Sequence, residues 1–194
     1  MPTQAQRTDK TSGKIIGVAI KVFARDGYAK ASLADIVNLS GVTTGAIYHH
    51  FGGKKDLFIA VARHLEQRII DESAAQSSNQ GSPWDQFEAN ILSTLQVCAQ
   101  TDIQRIVFRD APTVVGPFEW KQIEIEYGFG QLQKAVKKLA AADIIEAPNP
   151  DLTAQIILGA MMEAAHFAAT AKNKSRAVKQ GQATLRAMLQ AIRK

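Results

Sequence analysis

Between positions 32 and 54 the chain sets out Ser32, Thr43, Thr44, Gly45, Tyr48, His49 and Lys54. Hydroxyls, a phenol, an imidazole and an ammonium are groups that bond phosphate oxygens and base edges. They do not make a catalytic set. His49 and His50 are adjacent, so on a helix they point apart and are poor joint metal ligands. The chain has neither HExxH nor CxxC, and no metal or cofactor is expected. Cys98 and His166 could pair as nucleophile and base, but nothing in the sequence brings them together, so an enzyme is not expected.

The elements that would hold these groups are short. Leu33, Ile36 and Val37 give an apolar face to a helix over residues 32–39, with Ser32 as its cap. Asp35 has the spacing of a capping-box partner. Ser40-Gly41 supplies a tight turn, because glycine enters the left-handed region cheaply. Thr43 caps a second helix, with Val42 and Ile47 at staple spacing. Ile47 and Phe51 face inward, which leaves Thr44, Gly45, Tyr48 and His49 on the outer face. This is a helix-turn-helix whose second helix lies in a DNA major groove. Thr44 and Gly45 then fall nearest the base edges. Tyr48 reaches the backbone or a thymine methyl, and Lys54 reaches a phosphate.

The run IIGVAIKVFARDGY, then SLADI, SGVTTGAIYHHF and KKDLF, resembles the N-terminal domain of the TetR/AcrR family of bacterial transcriptional regulators. The string Tyr48, Phe51, Lys54, Leu57 is its most specific part. Two positions depart from the family pattern: Thr44, where a basic residue or proline is common, and Gly53, where a capping serine or asparagine is usual. The segment RDAPTVVGPFEWKQIEIEYGFGQL resembles, less specifically, the C-terminal domain of one branch. The resemblance implies an all-α dimer, joined through a four-helix bundle, that leaves its operator when a small ligand binds.

The totals agree with a nucleic-acid partner. The formal charge is +5, and residues 1–70 hold ten Lys and Arg against five Asp and Glu. The remaining residues balance, so the basic excess sits with the helix-turn-helix. Cys98 is the only cysteine, which suits the reducing cytoplasm. The N-terminus lacks an apolar signal core. The most apolar stretch, residues 156–171, is broken by Glu163 and His166 and reads as too short for a bilayer.

Along the chain, residues 1–11 read as a loose arm, and a first helix covers 12–26 until Gly27 stops it. Gly52-Gly53 precedes a helix over 54–75 with the stripe Leu57, Val61, Leu65. Its free amides, Lys54 and Lys55 favour a phosphate. Residues 73–82 are a polar loop. Ser82-Pro83 opens a fifth helix with the stripe Trp84, Phe87, Ile91, Leu95, Cys98, which makes Cys98 an apolar packer. A sixth covers 102–110 and ends before Pro112. A seventh runs from Gly116-Pro117 to 142 with the stripe Ile125, Phe129, Leu132, Val136, Leu139. Gly128 and Gly130 within it fit a kink, close packing or a neutral role equally well. Asn149-Pro150 opens an eighth helix to about 171, and a ninth covers 175–192.

The fold expected is therefore all-α, about nine helices. Residues 1–53 form the DNA-binding domain and 54–194 a regulatory and dimerisation domain, with helix 54–75 joining the two. Phe108, Trp120, Tyr127, Met162 and His166 are candidate walls of an apolar pocket with polar anchors; each fits ordinary core packing equally well. Ile156, Ala160, Ala164, Phe167, Leu185, Met188 and Ile192 are candidates for the homodimer interface. The partners expected are double-stranded DNA, a small-molecule effector and a second copy of the chain, in the cytoplasm and without a membrane. A non-specific structural DNA binder is the alternative.

Overall fold

The computed structural model describes residues 4–77 and 80–194, and all regular structure in them is helical. The order is α1 (Gln4–Lys30), α2 (Leu33–Ser40), α3 (Thr44–Phe51), α4 (Lys54–Gln76), α5 (Pro83–Cys98), α6 (Thr101–Ile103), a π-helical stretch Gln104–Asp110, α7 (Ala111–Val115), α8 (Pro117–Glu126), α9 (Gly128–Ala141), α10 (Pro150–Thr170) and α11 (Lys174–Gln190).

Local chemistry sets the helix ends. Ser82 accepts from Asp85 N–H at 3.2 Å while Asp85 accepts from Ser82 N–H at 2.9 Å, a complete capping box. Asn149 and Asn173 cap α10 and α11 by accepting from Leu152 and Arg176 N–H, at 3.1 and 3.0 Å. The arm expected over residues 1–11 is helical from Gln4; residues 1–3 lie outside the described residues. Gly27 interrupts α1 where a stop was expected, with φ 73° but an extended ψ of 165° in place of a left-handed cap, and a short helical stretch follows the kink to Lys30. Of the polar loop expected over 73–82, residues up to Gln76 continue α4, and 78–79 lie outside the described residues.

Two departures come from proline and glycine. The sixth helix does not stop before Pro112. It widens into the π-helical turn, where Ala111 N–H reaches Ile106 O, and continues to Val115. The wider turn relieves the clash a proline ring makes with the carbonyl one α-turn back. The seventh helix is two helices, broken at Tyr127 (φ −109°, ψ −125°). A Cβ on Gly130 would stand 2.0 Å from Ile125 O, so only glycine fits this break. The break also rotates the faces: Ile125 is exposed, while Trp120, Ile123, Phe129, Leu132, Val136 and Leu139 are buried.

The chain packs as two compact units. One comprises residues Met1–Leu65 with Thr101–Trp120; the other comprises Glu66–Gln100 with Lys121–Lys194. In the first, Ile15, Val22, Phe23, Ile36, Ile47, Leu57, Phe58 and Ile106 are fully buried or nearly so. Phe23, Tyr28 and Phe58 meet edge to face or stacked within it. In the second, α5, α9, α10 and α11 close a core around Trp84, Leu95, Val136, Ile157, Leu185 and Leu189. Cys98 is buried there, as a packer, and burial pushes its thiol up in pKa. The stretch 156–171, expected to be too short for a bilayer, belongs to the 21-residue α10, which by length and composition could cross one. Its Ala154, Ile157, Met161, Ala165 and Ala168 are buried in the chain's own core.

Candidate nucleic-acid interface

The turn between α2 and α3 is built by its side chains. Ser32 Oγ accepts from Ala34 N–H at 3.1 Å and starts α2. Gly41 takes φ 64°, ψ 22°, and its N–H closes α2 onto Val37 O. Ser40 is buried and donates to Ile36 O at 2.5 Å, which ties its hydroxyl into the turn. Thr43 Oγ1 accepts from Ala46 N–H at 3.2 Å and starts α3. Ile36 and Ile47, fully buried, anchor the two helices on the same core.

The outer face of α3 carries the expected groups. Thr43, Thr44, Gly45, Tyr48 and His49 are all exposed, and the Tyr48 ring is 54% accessible. A tyrosine this open has no packing role within the unit and offers both ring and hydroxyl to a partner. The His49 and His50 rings lie edge to face with centroids 5.4 Å apart, closer than adjacent positions pointing apart would suggest. Leu39, at the end of α2, is also exposed.

Lys54 is half-buried and already held. Its Nζ lies 4.6 Å from the Tyr28 ring centroid and donates to Ala29 O at 3.4 Å. The ammonium is thus fixed at the start of α4 by a π face and a carbonyl. An ammonium has three donors, so others stay available to an anion.

A second set of contacts, missed by sequence reasoning, fixes this unit from the other side. The Arg105 guanidinium lies against Gly27, where a Cβ would stand 2.1 Å from Nη2. Nη2 donates to Asp26 O at 3.2 Å, and Nε lies 3.5 Å from Asp110 Oδ2. The same Asp110 oxygen accepts from Tyr28 N–H at 2.8 Å. Residues 105 and 110, far along the chain, therefore grip the Gly27-Tyr28 corner, and Tyr28 in turn holds Lys54. The legible signal was Gly27 itself, whose backbone conformation is essentially closed to other residues.

The pocket candidates do not gather in one unit. Phe108, half-buried, and Trp120, buried, belong with the helix-turn-helix. Tyr127 and Met162, half-buried, and the exposed His166 belong to the other unit. A cleft of about 440 Å³ in that second unit is lined instead by Gln76, Leu92, Ser93, Gln96, Gln182, Arg186 and their neighbours. The dimer candidates divide too. Ile156, Phe167 and Met188 are 56%, 53% and 48% exposed. Ala160, Ala164 and Ile192 are half-buried. Leu185 is 2% exposed, inside the chain's own core. A Cβ on Gly181 would lie 3.4 Å from that of Ala164, so Ala164 meets α11 of the same chain.

Known proteins match this arrangement at both ends. Residues 15–61 match the model for bacterial regulatory proteins of the tetR family, and residues 84–192 match that for the tetracyclin repressor-like C-terminal domain. The Transposon Tn10 TetC protein of Escherichia coli is 27% identical over 180 residues, 92% of this chain and 89% of that protein. The HTH-type transcriptional repressor NicS of Pseudomonas putida is 36% identical over 62 residues, 32% of this chain and 29% of its own. A TetR-family transcriptional regulator from Pectobacterium atrosepticum, solved by crystallography, superposes with a TM-score of 0.75 at 29% identity, covering 99% of this chain and 98% of that one. A DNA-reading head at the N-terminus and a family-specific domain over more than half of the chain lead to one conclusion: the protein belongs to the TetR family, as a DNA-binding transcriptional regulator and not an enzyme.

Proposed function

We propose that the protein is a homodimeric cytoplasmic repressor that binds a near-palindromic operator and is released from it by a small, mostly apolar molecule. In this reading residues 1–53 are the DNA-binding domain and 54–194 the regulatory and dimerisation domain. Thr44 and Gly45 stand at the base edges, Ser32, Thr43, Tyr48, His49 and Lys54 at the backbone. The observation that carries the regulatory part is the grip of Arg105 and Asp110 on the Gly27-Tyr28 corner. These two residues follow α5 in the chain, yet they hold the corner that positions Lys54. The chain passes between the compact units at Leu65, Gln100 and Trp120, so strain has three covalent routes to the reading head.

The dimer reading rests on apolar side chains left open on α10 and α11: Leu152, Ile156, Phe167 and Met188. Such a stripe on a water-facing helix favours a self-complementary contact. Two heads must meet half-sites about one helical turn apart, so a small displacement weakens binding. The effector can act only by its difference in affinity for the two states; a switch from 1:99 to 99:1 needs about 5.5 kcal/mol.

The test has two steps. A molecule found to raise the melting temperature is titrated into the complex with a duplex selected from random sequence, and affinity is read by fluorescence anisotropy. A fall of about tenfold or more at saturation, equivalent to about 1.4 kcal/mol, supports release. Unchanged affinity at saturation contradicts it and leaves a DNA-binding protein without this control.

A further inference from the structure

Glu66 is the one charged side chain among the described residues that is buried, at 6% exposure. It lies on α4 in the row Phe58, Ala62, Glu66, Ile69, Ser73, all buried. Among the described residues, no hydrogen-bond or ion-pair partner reaches its carboxyl group. Its electrostatic neighbours within the same compact unit are Glu124 of α8 and the thiol of Cys98. Burial, with the Glu124 charge beside it, pushes the Glu66 carboxyl up to about 8. An unpaired buried acid is among the costlier features a fold can retain.

The same place displays how an ammonium is held. Lys121 Nζ lies 3.1 Å from Glu124 Oε2 and 3.9 Å from the centroid of the Phe129 ring. Carboxylate on one side and aromatic face on the other is the usual environment of a bound amine. Glu124 and Phe129 hold that ammonium, while Glu66 feels the Glu124 charge and has no cation of its own among the described residues.

We infer that Glu66 is the polar anchor of the effector site and that the effector carries a positively charged amine on an apolar body. This deepens the reading of the protein as a ligand-released regulator and rests on it. An amine brought to Glu66 takes up the carboxyl proton and pairs with the resulting carboxylate, which none of the described residues satisfies, and its apolar body meets the buried side chains beside it. A neutral ligand leaves that carboxyl as it stands. An anionic one sets a negative charge beside Glu66 and Glu124, holds Glu66 in its protonated form, and is rejected.

Three probes with one body separate these cases: octylamine, 1-octanol and octanoate, titrated into the full-length protein by calorimetry. The proposal expects octylamine to bind about tenfold or more tightly than 1-octanol, and octanoate to bind worst. In Glu66→Gln, which keeps shape and removes charge, the preference for the amine over the alcohol should vanish. Equal binding of amine and alcohol by the wild type, tighter binding of octanoate, or no binding of the amine overturns the proposal without any variant. An amine preference that survives Glu66→Gln overturns the role of Glu66. Operator affinity is measured in the same samples. Amine binding through Glu66 with operator affinity unchanged upholds the site and defeats ligand-induced release. Release by the alcohol or the carboxylate, but not the amine, upholds release and defeats the cationic effector.

Discussion

Single residues carry the sharpest expectations. Lys54 is fixed over Tyr28 with donors to spare, so as a phosphate contact it should act on every sequence alike. Lys54→Ala should weaken binding to selected and random duplexes by similar factors and flatten the salt dependence by about one unit of slope. Thr44 substitutions should instead change which base is preferred, read by repeating the selection. Glu66 predicts a pH effect on stability whose sign follows from its raised pKa. Unfolded, the carboxyl titrates near its ordinary value; folded, it holds its proton up to about 8. Between those values the folded state binds the extra proton, so stability falls as pH rises, by about 1.4 kcal/mol per pH unit from this group. Above about 8 the effect is complete. Denaturant midpoints of Glu66→Gln against wild type, from pH 5 to 9, should diverge in favour of the variant as pH rises.

Elements were legible wherever their cause is local. Ser32, Thr43, Ser82 and Asn149 cap helices because donor and acceptor lie within three residues of each other. Gly41 turns the chain for the same local reason. What could not be read depends on partners far away in sequence. The grip of Arg105 and Asp110 on Gly27 and Tyr28 joins positions some 80 residues apart, 79 and 82 along the chain. The break at Tyr127 turned one expected stripe into two faces and left Ile125 outside. Glu66 was hidden because the stripe Leu57, Val61, Leu65 accounted for α4, although the row beside it, Ala62 to Ile69, is buried as well. Gly130→Ala should cost about 1–3 kcal/mol, since the new methyl meets the Ile125 carbonyl and not a movable side-chain end. Asp110→Ala should free the Tyr28 amide: its hydrogen exchange should quicken by about tenfold, the loss of about 1.4 kcal/mol of protection. Unaltered exchange would mean that the corner is held without Asp110.

At the scale of the whole molecule the expectation is a dimer that reads two half-sites. Ile156→Asp and Phe167→Asp place charge on the open face of α10 and should give monomers with full helix content in sedimentation and circular dichroism. Leu185→Asp is different: that side chain lies in the chain's own core, and the variant should lose structure as well as assembly. Dimers that persist in both α10 variants would put the interface elsewhere. The central claim is that Thr44 and Gly45 on α3 read sequence as one of a symmetric pair of heads. The most direct measurement is selection of duplexes from a random pool by the full-length protein, followed by the binding stoichiometry on the enriched duplex. The account predicts an inverted repeat, with half-site centres about 34–36 Å or a multiple apart, bound by an even number of chains. A pool that stays random while still being bound, with affinity set by salt and length alone, would contradict it and make the protein a non-specific DNA-coating one.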